Sequence, residues 1–222
     1  MKHESVIAVP ACAGMTVRDP LSHEEIPRQA RDDNKPALMA LWKRCFPEDT
    51  DVFIDLYFTH LYTSEDVLIA VVDNQPIAFL QMLPCTLETQ EKSYPTGYIY
   101  GVMTHPGYRH KGYMNQLLTT ALSVLKERAC DYAFLIPQSP ELAHTYSKYG
   151  FVNCQSSIDN CQLSACIIPS ATQFDVAKQD FINEGGVFTD ENTLLSNNPG
   201  MLLRLNNEAP EISNWSAYAM LD

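Results

Sequence analysis

The stretch that most constrains this chain runs from residue 97 to 138. There a strand pattern, a short basic loop, a long amphipathic pattern and a second strand pattern follow one another directly. Residues 97–104 (GYIYGVMT) are aromatic and β-branched, a composition that suits a pleated, half-buried strand. Residues 113–129 place Met114, Leu117, Leu118, Ala121, Leu122 and Leu125 at helical spacing, so one face is apolar throughout. Residues 131–138 (DYAFLIPQ) are a continuous apolar run, which reads as a buried strand. Two strands joined by such a helix pair in parallel through a right-handed crossover. The loop between them carries Arg109-His110-Lys111-Gly112 immediately before the helix. A helix start presents unpaired backbone N–H groups and the positive end of the macrodipole, so it accepts anions. Gly112 lets a phosphate approach the backbone closely, and Arg109, His110 and Lys111 add donors. Together these features suit a diphosphate.

The rest of the chain supplies a sheet for this unit to join. Residues 25–30 read as a short first strand. Asp32, Asp33 and Asn34 then offer capping groups and Pro36 a first helical turn, with Leu38, Leu41, Trp42 and Cys45 at helical spacing. A second helix begins after Asp49-Thr50-Asp51, with Phe53, Leu56, Tyr57 and Leu61 on one face. Val67–Val72 is a branched strand, residues 73–75 a turn, and residues 76–83 the returning strand, which Pro84 and Cys85 bend or end. Ser139 and Pro140 open a further helix that stops at Gly150, followed by a strand over 151–155. The first central strands therefore form an antiparallel meander. Mixed sheet plus helices on both faces gives an α/β layer structure.

The ends are less legible. Residues 1–24 have no sustained period and are broken by Pro10 and Pro20, so they read as a poorly ordered N-terminal extension. Its apolar segment, residues 5–16, faintly imitates a signal peptide, but Glu4 and the short core argue against one, and the chain reads as cytoplasmic. Residues 169–222 read as a C-terminal appendage, with a helical pattern over 174–181, a break at Gly185-Gly186 and a strand pattern over 201–205. That tail either finishes the sheet or belongs to an incomplete second region, and it is a candidate homodimer surface. The domain proper spans residues 25–168.

Composition narrows the function. The net charge of −12 argues against a nucleic-acid surface and suits attraction of cationic substrates such as amines, though acidity also serves plain solubility. No run is long and apolar enough to cross a membrane. The seven cysteines are scattered without a CxxC pair, so no metal site is expected and reduced, buried thiols are the default. No GxxxxGK[ST] motif is present, which excludes a P-loop hydrolase.

The segment running Val102…Arg109-His110-Lys111-Gly112-Tyr113-Met114 resembles the acetyl-CoA loop of GNAT N-acetyltransferases, V-x-x-x-x-x-x-R-x-x-G-x-[GA] after a strand and opening a helix. Met114 departs from the pattern, standing where a small Gly or Ala is commoner. Residues 141–151 (ELAHTYSKYGF) are similar to the later helix-to-strand element of that family. The resemblance covers roughly residues 26–165 and implies a GNAT-like mixed sheet that binds acetyl-CoA as co-substrate. It implies that backbone groups at Val102, Met103 and Thr104 pair with the pantetheine arm like an added strand. Backbone N–H groups from Arg109 through His110, Lys111, Gly112, Tyr113 and Met114 would hold the pyrophosphate, with Gln138 and Ser139 near the cofactor. A small-molecule or peptide amine would attack the thioester directly in a ternary complex, a backbone N–H near Met103 stabilising the oxyanion. Tyr146 matches the family's usual acid position. The general base is open among Tyr100, His105 and Glu88. Tyr94, Tyr98, Tyr100 and Tyr108 line an acceptor pocket or pack as core. Two further readings stand beside acetyl transfer: a non-catalytic acyl-CoA-binding module, and transfer of an aminoacyl or longer acyl group.

Overall fold

The computed structural model describes residues 24–89, 91–153, 165–169, 200–212 and 215–217. The sheet begins with β1 (Glu24–Gln29), β2 (Val67–Val72), β3 (Gln75–Thr89) and β4 (Ser93–Thr104), each antiparallel to its neighbour. The two-residue turn between β2 and β3 works because Asp73 and Asn74 both take left-handed backbone angles, φ 48° and 61°, a geometry these residue types tolerate. After β4 the helix α3 (Tyr113–Glu127) crosses over to β5 (Tyr132–Leu135), which pairs with β4 in parallel. The meander and the parallel step thus stand as the sequence indicates. β6 (Val152–Asn153) and β8 (Met201–Arg204) extend the sheet, with β8 lying between β5 and β6 and antiparallel to both. β7 (Ala165–Pro169) pairs with the far half of β3, and β9 (Trp215–Ala217) pairs with β7. The expectations for residues 1–23 and 174–181, and for Gly185-Gly186, lie outside the described residues.

Two expectations need correction. Pro84 does not end its strand; β3 runs on to Thr89 with Pro84 opposite Gly97 of β4. The flank of β3 away from β4 is taken by β2 as far as Gln81 and by β7 from Cys85 onward, so Pro84 falls between the two ladders. A proline with no N–H is tolerated where no ladder bond is required. The second helix also changes character. α2 (Asp51–Leu56), capped by the Thr50 hydroxyl accepting from Phe53 N at 3.2 Å, widens into a π-helical turn, Tyr57–Leu61, closed by Tyr62 N donating to Tyr57 O. Tyr57 and Leu61 are buried as expected, the wider turn brings Phe58 into the core beside them, and upstream Ile54 is buried while Phe53 and Leu56 are only half-buried.

The helices cover both faces. Under α3 and α4 (Pro140–Ser147), Leu117, Leu118, Ala121 and Leu125 pack with Leu80, Met82, Ile99 and Leu135. On the opposite face α1 (Lys35–Cys45) and α2 bury Leu38, Leu41, Trp42, Ile54 and Tyr57 against Ile69, Phe79 and Met103. Trp42 is the hub of that layer, with its ring 4.4 Å from Tyr57 and 6.0 Å from Phe79, and its Nε1 donates to Asp49 at 2.7 Å.

Candidate functional site

The site is a split in the sheet. β4 and β5 pair only from Thr96 opposite Tyr132 to Tyr98 opposite Phe134. β4 then continues to Thr104 without a β5 partner, so the strands diverge and one edge of Tyr100–Thr104 backbone faces the gap. A bulge sits in that edge. Tyr100 pairs with Gln81 and Met103 with Phe79, so Gly101 and Val102 together oppose Leu80 alone. Gly101 has φ +61°, and a β-carbon there would lie 3.1 Å from Phe79 Cε1. Glycine permits both the left-handed angle and the close aromatic wall. A bulge re-aims backbone groups, here at the mouth of the split. The sequence signal for it is an isolated glycine inside a strand pattern.

The strand side chains alternate around the split. Val102 packs on the α3 side, while Met103 is buried on the α1 side. Thr104 pairs with Ala78 and ends the strand.

The basic loop follows at the open end of β4. Its first turn, Pro106–Tyr108, is capped by His105, whose Nδ1 accepts from Gly107 N at 3.1 Å. His110 and Gly112 are both left-handed, φ 63° and 90°, and Gly112 is the residue before α3. A β-carbon on Gly112 would meet nothing within 4 Å, so the space above it is open. Alternating left-handed residues at a helix start turn successive N–H groups toward solvent, which makes an anion cradle. Arg109, His110 and Lys111 are exposed. Lys111 holds its ammonium 4.8 Å above the Tyr108 ring. Tyr113 is buried, and Met114, the departure from the family pattern, turns its side chain down against the core under α3. Its bulk therefore lies away from the loop's outer face.

Tyr146 lies on α4, 5% exposed, within the core cluster that includes Tyr113, Leu117 and Leu135. Its ring packs edge-on to Phe151. Burial, with a smaller contribution from Tyr149, pushes its phenol up to about 12. Next to it, Tyr149 donates to Asn115 Oδ1 at 2.7 Å, tying the end of α4 to the first turn of α3. Ser139 caps α4 by accepting from Leu142 N at 3.3 Å, and Gln138 is exposed just before it.

The three base candidates separate in space. Tyr100 is half-buried beside the Gly101 bulge, 5.6 Å from the Tyr57 ring and 5.4 Å from Tyr98. His105 belongs to the loop beyond β4, where its Nδ1 caps a turn. Glu88 lies at the opposite end of β3 from Ala78–Thr104, and accepts from Ser93 Oγ at 2.5 Å. Of the four tyrosines considered for an acceptor pocket, Tyr98 is core at 3% exposure. Tyr94 sits at the far end against Tyr132, and Tyr108 belongs to the loop.

A sheet split beside a bulge, with an exposed basic loop and a helix start at its open end, defines an α/β protein with one strand edge left open. Residues 27–153 match the acetyltransferase (GNAT) domain family, and the chain belongs to that family. In fold it is similar to an Escherichia coli GNAT family N-acetyltransferase in complex with CoA, at 18% identity over 91% of this chain and 93% of that one, TM-score 0.57. It is also similar to a GCN5-related N-acetyltransferase from Anabaena variabilis, at 20% identity over 60% of this chain, TM-score 0.52. The match spans about a third of that larger protein, 32%. No curated protein matches the chain. The mixed sheet of the GNAT fold is thereby shown. Among the described residues, no helix is long and apolar enough to cross a membrane.

Proposed function

We propose that this chain is an N-acetyltransferase that carries the acetyl group of acetyl-CoA to a primary amine by direct attack in a ternary complex. The observation that carries this reading is the β4–β5 split, with pairing ending at Tyr98 and Phe134 while β4 runs on to Thr104. A pantetheine arm, which has amide donors and acceptors, fits such an unpaired edge at Val102, Met103 and Thr104. The pyrophosphate would then lie on the N–H groups of residues 109–114, at the positive end of α3. The CoA-bound E. coli neighbour supports the choice of cofactor.

The chemistry follows from that placement. A neutral amine attacks the thioester carbonyl, and the negative charge that develops on oxygen is met by a backbone N–H at the bulge near Met103. Collapse of the tetrahedral adduct expels the CoA thiolate. Tyr146 donates a hydrogen bond to that sulfur. A phenol at about 12 is a weaker acid than a thiol near 8.5, so Tyr146 stabilises the thiolate and does not finish as a phenolate. The ammonium proton leaves to solvent, by way of water near Tyr100, the one base candidate beside the bulge. A non-catalytic acyl-CoA module is the second reading, and the burial of Tyr146 is the observation that favours it.

Thiol release from acetyl-CoA across a panel of primary amines separates the two. Amine-dependent release, with the acetylated amine recovered, supports the transferase. Saturable acetyl-CoA binding with no turnover on any amine would establish the module instead.

A further inference from the structure

The motif arginine, Arg109, is turned back into the protein. Its Nε donates to the carbonyl of Thr104, the last residue of β4, at 3.1 Å. That bond closes the span 105–108, which is also held by Tyr108 N donating to His105 O at 2.8 Å and by His105 N donating to Ile77 O at 2.8 Å. The same guanidinium lies beside the half-buried thiol of Cys45, the last residue of α1. A cation is favourable there, at the negative end of that helix. Burial raises the Cys45 thiol and the Arg109 charge partly offsets the rise. Directly after Arg109 comes His110, a β-carbon-bearing residue held left-handed at φ 63°. Such a conformation persists only where neighbouring contacts fix it.

We propose that Arg109 is a positioning residue that braces the cofactor loop between the end of β4 and the end of α1, and that it serves the phosphates through the loop's backbone N–H groups and not as a direct ligand. The inference rests on the acetyl-CoA reading above. Lys111, exposed and held only loosely over the Tyr108 ring, is left as the loop's charge contact. A brace and a charge contact respond differently to substitution. Lysine preserves charge but lacks the planar guanidinium whose Nε holds the Thr104 carbonyl. A direct phosphate contact also contributes to the salt dependence of binding, because its charge is screened.

The test is CoA binding by calorimetry on the full chain at low and high salt, for the native protein, Arg109→Lys, Arg109→Met and Lys111→Met. Both Arg109 variants are expected to weaken CoA by a similar factor, roughly tenfold, while keeping the native salt dependence. Lys111→Met should flatten it. Amide exchange over 105–113 in the absence of CoA should quicken in Arg109→Lys. Native CoA affinity in Arg109→Lys, or a salt dependence lost with Arg109→Met and kept with Arg109→Lys, overturns the brace. So does unchanged amide exchange. If the native protein binds no CoA, the acetyl-CoA reading fails, and the exchange measurement still decides whether Arg109 holds the loop.

Discussion

Tyr146 shows how burial sets what a side chain can do. At 5% exposure its phenol is pushed up to about 12, so it stays protonated through neutral and mildly alkaline pH. Tyr146→Phe should lower kcat on the order of a hundredfold and leave acetyl-CoA affinity close to native. The pH–rate profile should keep its shape, because no limb of it belongs to Tyr146. A rate unchanged at every pH removes Tyr146 from the reaction. The same shift has a consequence for folding. Tyr62, Tyr132 and Tyr146 all sit at about 12 when folded, against about 10 unfolded. Between those values the unfolded chain loses protons that the folded chain keeps, so stability is fully present below pH 10 and declines as pH rises toward 12. Urea midpoints at pH 8, 10 and 11.5 should show that decline, and Tyr146→Phe should reduce it. A flat midpoint across this range refutes the linkage.

Within the elements, glycines on one strand serve two different ends. Gly97 of β4 lies under α3, where a β-carbon would come within 2.2 Å of Leu125 Cδ2. Gly97→Val should therefore force α3 away and cost about 1–3 kcal/mol by denaturant unfolding. Gly101 shapes the bulge, and Gly101→Ala meets both a left-handed φ and Phe79 at 3.1 Å. Its strain is about 1–2 kcal/mol, but its larger effect is expected on turnover, because the N–H that would meet the oxyanion lies in that bulge. The first variant should lose stability with little change in kcat per folded molecule. The second should lose kcat at modest cost in stability. Equal loss of kcat in both would detach the bulge from the chemistry. The π-helical turn belongs to this scale as well. It is held from the sheet by fully buried Gln81, whose Nε2 donates to Leu61 O at 2.6 Å and whose Oε1 accepts from Tyr57. No 3.6 spacing in the sequence reveals such a partner, so helical periodicity finds Tyr57 and Leu61 on the buried face but not Phe58.

For the whole molecule, the tail decides whether the sheet is complete. β8 lies between β5 and β6, with Leu202 3% exposed in the core beside Tyr132 and Phe134. Tyr132 also donates to Pro210 O at 2.6 Å. Leu202→Asp places an unpaired carboxylate in that core and should cost several kcal/mol, enough to show as loss of soluble, cooperatively unfolding protein. Wild-type stability in that variant would mean that the tail is dispensable to the domain. Of the two expectations for this tail, finishing the sheet is the one β8 fulfils.

Sequence alone determined the parts governed by local rules. Hydrophobic spacing fixed α3, continuous apolar runs fixed β2 and β5, and Ser139-Pro140 and Gly150 bounded α4. The loop before α3 was legible for the same reason, since a helix start and a glycine are local facts. Tertiary structure alone decided where β4 and β5 part, because pairing depends on a second strand distant in sequence. It also placed β8 within the sheet, allowed Pro84 in a long strand by leaving its flank between two ladders, and turned Arg109 onto Thr104. Each of these depends on which groups face one another across the fold, and no spacing along the chain encodes that.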